Sequence, residues 1–115
     1  VALKDEDSQM RQARAQIRSE TVRIEDELRR LMLDLDSARA LREEAQQALI
    51  VSRENERLIR ARFSAGTASQ VEVSDAEAAL FQGESTALQQ SLAVQLAALR
   101  VAKAIGAFDV GGGAK

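Results

Sequence analysis

Two apolar rows, each advancing by seven residues, run through the first sixty positions and limit this chain to long helices. From Met10 one row passes through Ile17, Ile24, Leu31, Ala38, Ala45, Ser52 and Ile59. From Thr21 the other passes through Leu28, Leu35, Arg42, Leu49, Glu56 and Phe63. The rows stand three and four residues apart, so on a helix they merge into one stripe. No proline interrupts them anywhere in the 115 residues, and good helix formers fill the positions between. The stripe is continuous to Leu35 and then patchy, where Arg42, Ser52 and Glu56 occupy it. Leu41, Ala48 and Leu58 stand beside it and are expected to widen the apolar face there.

The charges fit the same reading. Asp5, Glu6 and Asp7 cluster where the positive end of the helix dipole lies. Glu25 with Arg29, Asp26 with Arg30 and Glu56 with Arg60 stand one turn apart with the acid first, the favourable order. The arginines from Arg11 to Arg62 are interleaved with acids, as on a solvated helix face and unlike a basic patch. The net charge of −2 also argues against general nucleic-acid binding.

The pattern breaks at Gly66, the first glycine of the chain. Glycine enters the left-handed conformation that closes helices without a steric penalty. Ser69 followed by Glu72 forms a capping box, in which each side chain satisfies a free amide of the other residue. A second box, Ser74 with Glu77, offers a later start. With the first box, residues 5–65 are one long helix, 66–68 a tip turn and 69–105 a returning helix. A connection that short makes the helices antiparallel neighbours.

The returning helix carries the rows Val73, Leu80, Ala87, Val94, Val101 and Ala76, Gly83, Gln90, Ala97, Ala104. A further row, Val71, Ala78, Ser85, Leu92 and Leu99, lies elsewhere on the cylinder, and Glu84 is the one charge between Ala78 and Leu99. Glutamines 82, 89, 90 and 95 make this stretch too polar for a membrane span. A helix touched by protein on more than one side explains it better. Gly106 is the expected stop, with 106–115 a flexible tail.

The fold class that follows is all-α: a long antiparallel hairpin with unequal arms, roughly 90 and 50 Å at ~1.5 Å per residue. Its two helices cover little surface against an ordering cost of about 1–2 kcal/mol per residue, so the unit is expected to be an assembly. Val1 opens the sequence without methionine or signal-peptide pattern, as expected of a processed chain or a piece of a larger protein.

No enzyme is expected. The chain has no histidine and no cysteine, hence no imidazole or thiol for a nucleophile–base pair, and it lacks a glycine-rich phosphate loop. The carboxylates form no pocket of metal ligands, and no cofactor is expected.

The run from Phe63 to Ala107 resembles the C-terminal periplasmic hairpin of the TolC-like outer-membrane efflux proteins, or outer membrane factors. The matching residues are Phe63, Gly66, Thr67, Val71, Val73, Asp75, Ala76, Leu80, Ala104 and Gly106. They follow that family's order of an aromatic, a Gly-Thr turn, a V-x-D-A-x-x-x-L stretch and a closing small-residue pattern. The specific likeness covers about forty residues; the first sixty match as a long amphipathic helix.

The resemblance implies a piece of the periplasmic α-barrel of a trimeric outer-membrane exit duct for efflux or type I secretion. Its partners would be further copies of itself, a periplasmic adaptor and, indirectly, an inner-membrane transporter. The turn, Phe63, Gly66, Thr67, Ala68 and Ser69, would be the adaptor-docking tip, and Glu72 and Asp75 would line its constriction. Phe63 and Ala68 stand where members with a closed tip can carry tyrosine and arginine, so a hydrogen-bonded lock is not implied. A plainer account makes Glu72 a capping partner, both acids dipole-favoured, and the turn mere geometry. The alternative to a duct is a stand-alone coiled-coil scaffold or a periplasmic adaptor hairpin.

Overall fold

The computed structural model describes residues 2–113. They form α1 (Ala2–Ser64) and α2 (Gln70–Gly113), joined by five residues. At ~1.5 Å per residue the 63 residues of α1 account for the molecule's long dimension, 97 Å, against 22 and 15 Å across. The hairpin with unequal arms is therefore the architecture of the chain, and no strand accompanies it among the described residues.

The seam between the helices is the pair of rows expected on each. On α1 the shielded positions are Leu28, Leu31, Leu35, Ala38, Arg42, Ala45, Leu49, Ser52, Glu56 and Ile59. On α2 the two rows supply Val73 and Ala76 at 5% exposure, and Ala87, Val94 and Ala97 at 8%. A strict alternation of three and four keeps one line of side chains facing the partner helix. The tightest cluster is Ala45, Leu49 and Ala87, with Leu80 packed against it.

The polar residues in the α1 stripe stay in the seam. Arg42, Ser52 and Glu56 are half-buried, whereas Leu41, Ala48 and Leu58 remain exposed and do not widen the face. Two features account for this. Arginine and glutamate cover apolar surface with their stems while their charges reach solvent. Ser52 is small enough to sit in the seam opposite Gly83, where an added Cβ would stand at ordinary contact distance, 3.5 Å from Ser52 Oγ and 3.6 Å from Leu49 Cδ1.

The seam opens toward the chain termini. Every described α1 side chain before Leu28 is exposed, including Met10, Ile17 and Ile24 of the apolar row. A notch lined by Arg23, Ile24, Leu28 and Ala104 marks where contact gives out.

The expected stop at Gly106 does not occur. Helix α2 continues to Gly113, so 106–113 are helical and not a flexible tail; residues 114–115 lie outside the described residues. Gly66 alone among the described residues has positive φ, so Gly106 does not adopt the capping conformation. A helical glycine costs about 1 kcal/mol relative to alanine, and no proline follows to interrupt the ladder.

Candidate functional site

The reversal at the end of the hairpin is built from two interlocking caps. At the α1 end Gly66 takes φ 79°, and its amide donates to the Phe63 carbonyl at 3.0 Å. The Thr67 amide donates to the Arg62 carbonyl at 2.8 Å. These nested six-to-one and five-to-two bonds are a Schellman motif, which satisfies carbonyls that the last helical turn leaves open.

At the α2 end the first capping box forms. The Glu72 amide donates to Ser69 Oγ at 3.2 Å, and the Ser69 amide donates to Glu72 Oε2 at 3.3 Å. Ala68 and Val73 hold the two positions of a hydrophobic staple, the first half-buried and the second 5% exposed. Val73 thus begins the seam and fixes the entry angle together. The second box does not start the helix. Its acid, Glu77, instead accepts from Arg60 Nη2 at 2.7 Å, an ion pair between the helices.

Two arginines brace this turn: Arg62, which the sequence left unassigned, and Arg60, whose pairing with Glu56 was expected but whose contact across the hairpin was not. Arg62 Nη2 donates to the Thr67 carbonyl at 3.0 Å, while Thr67 Oγ1 donates to the Arg62 carbonyl at 3.1 Å. Arg60 pairs with Glu56 one turn earlier, as the spacing predicts, and with Glu77 across the hairpin. The signal was a basic residue in the last turn of α1, next to its negative dipole end; its carbonyl partner depends on the loop path. The Arg60–Glu77 pair is exposed on both sides, and such pairs contribute about 0–1 kcal/mol.

The remaining tip residues face solvent. Phe63 is 44% exposed, and Thr67, Ser69, Glu72 and Asp75 are exposed, whereas Ala68 is half-buried. Gly66 has open space around its α-carbon. Glu72 and Asp75 share the first turns of α2, but they are not equivalent. One Glu72 oxygen is committed to the Ser69 amide, while Asp75 makes no ion pair among the described residues. Among the described residues there is no metal-binding cluster and no helix apolar enough to cross a membrane.

No family model, curated protein or solved structure matches this chain. The likeness to TolC-like hairpins rests on the residues quoted for it.

Proposed function

We propose that this hairpin is a periplasmic wall segment of a trimeric outer-membrane exit duct, for efflux or type I secretion, with its turn forming the gated tip that an adaptor docks. The reading is carried by the turn. Phe63, Gly66 and Thr67 are presented at one extreme of a long rod, held by a Schellman motif, a capping box and the Arg62–Thr67 brace. A rigid, small-residue reversal suits docking against another hairpin's tip, because little side-chain order is lost on contact.

The unequal arms support the same reading and weigh against an adaptor hairpin, whose arms are nearly equal. A long first helix leaves its N-terminal third uncovered by α2, so in a duct wall other helices would cover it. The segment performs no chemistry. Its contribution is shape and field: three copies would bring Asp75 and the free oxygen of Glu72 to a common mouth, attracting cations and repelling anions.

Two measurements test this in the full-length trimer. Thr67→Cys is expected to crosslink to a cysteine at the adaptor tip in an assembled pump; no crosslink in an otherwise working pump sinks the docking role. Asp75→Asn with Glu72→Gln is expected to lower cation selectivity in single-channel conductance. Unchanged selectivity removes the acidic ring.

A further inference from the structure

Helix α2 has a second apolar seam, turned away from α1. The row Val71, Ala78, Ser85, Leu92 and Leu99 is joined, three and four residues away, by Ser74, Phe81, Leu88, Gln95 and Ala102. No charged residue stands at any of these ten positions, and their alternation is that of a coiled-coil seam. The large members are bare: Phe81 is 70% exposed, Leu88 63%, Leu92 55% and Leu99 60%. The hairpin's own seam does not use this outer line, since its shielded rows on α2 are those of Val73 and Ala76.

We propose that this face pairs two copies of the chain through α2, antiparallel about a two-fold axis beside Gln89. Charge gives the direction. Along α2 the acids Glu72, Asp75, Glu77 and Glu84 come first, an uncharged stretch follows, and Arg100 and Lys103 come after it, with the single acid Asp109 beyond them. A parallel pair sets like charges together, and an antiparallel pair sets each acidic end on a basic one.

Side-chain size gives the register. Antiparallel seams pair one row with the other across the axis. One alignment sets Leu88 against Leu92 of the second copy, Phe81 against Leu99, the small Ala78 against the small Ala102, and Ser85 against Gln95, a hydrogen-bonding pair. On the flank that alignment brings Asp75 opposite Lys103, twice by symmetry, and Gln89 opposite itself. Sliding by one heptad either way sets Ser85 against Leu88, or Leu92 against Gln95, and separates Asp75 from Lys103. A two-fold contact of this kind uses the same patch on both copies and closes at two.

The pairing is independent of the duct reading. It points the two turns in opposite directions, whereas a duct sets turns side by side; it describes association of this 115-residue chain by itself.

The test is light scattering and oxidative crosslinking on the chain. The expected mass is that of two chains, and Gln89→Cys is expected to form a disulfide-linked dimer in high yield. Leu88→Lys with Leu92→Lys is expected to give monomers of unchanged helicity, since neither side chain belongs to the α1 seam. Asp75→Lys is expected to weaken the dimer about tenfold, and adding Lys103→Asp to restore it. A monomer at all concentrations overturns the proposal. So does a dimer that Gln89→Cys fails to crosslink, or one that cysteine at Thr67 crosslinks tip to tip.

Discussion

The two ends of the rod are made from the same repeat and behave differently. Near the turn every device agrees: Gly66 at φ 79°, the Ser69–Glu72 box, Val73 buried at the first seam position, and Arg60 tied to Glu77. At the other end α1 keeps its apolar row through Met10, Ile17 and Ile24, yet these are 55%, 65% and 43% exposed. Periodicity therefore marks where a helix can be covered, and the partner helix decides where it is covered. The turn sets the register, and burial holds along the seam as far as Leu31 before it is lost.

The largest effect that separates the ends is a cavity. Leu49 is 9% exposed and sits between Ala45 and Ala87; Leu49→Ala is expected to lose about 2–3 kcal/mol, the low end for buried leucine because a two-helix seam collapses readily around the gap. Ile17→Ala, in the same repeat at 65% exposure, is expected to stay within about 0.5 kcal/mol. Urea unfolding followed by circular dichroism checks both. Equal losses would mean that the N-terminal third of α1 is covered in solution.

Two glycines sharpen the contrast with opposite signs. Gly66 needs its left-handed backbone, so Gly66→Ala is expected to cost about 1–2 kcal/mol through strain alone, although open space surrounds the site. Gly83 is helical, and its added Cβ would find ordinary contacts at 3.5–3.7 Å with Ser52 and Leu49. Gly83→Ala is expected to stabilise by about 0.5–1 kcal/mol, since alanine loses less backbone entropy on entering a helix. The same denaturation series measures both. A Gly83→Ala variant that loses stability would show the seam closer at Ser52 than these distances allow.

Much of this was legible in the sequence, because helical period, glycine conformation and the capping box are local rules. The seam rows, the turn at Gly66 and the Ser69 cap ahead of α2 follow from them. What was not legible depends on something distant or on a competition. The exposure of Leu41 and Leu58 reflects the choice of Arg42 and Glu56 stems for the seam, a matter of where α2 lies. The use of Glu77 by Arg60, in place of Ser74, is likewise a cross-helix contact. Gly106 misled because a glycine permits a stop without enforcing one. At the candidate site the residue types and the cap were readable, whereas the inequality between Glu72 and Asp75 came from one hydrogen bond.

The smallest effect concerns pH and distinguishes the ends by ion pairs. The Arg57 guanidinium hydrogen-bonds Glu54 and holds its carboxyl below the usual value of 4.5. Arg30 does the same for Glu27, at the border of the covered region. A carboxyl depressed in the folded state contributes stability that is present above its unfolded pKa and is lost as pH falls through its folded one. Both pairs lie within α1, so what they support is local helix and not the seam. Glu27→Gln and Glu54→Gln are each expected to flatten the acid limb of the helicity curve below about pH 4.5, by removing at neutral pH the small local contribution that the unsubstituted chain loses only in acid. At Glu27 the change should appear mainly in amide exchange of neighbouring α1 residues, where no partner helix holds the turn. At Glu54 the packed seam should mask it, and a larger exchange response at Glu54 than at Glu27 would reverse the order of stability assigned to the two ends.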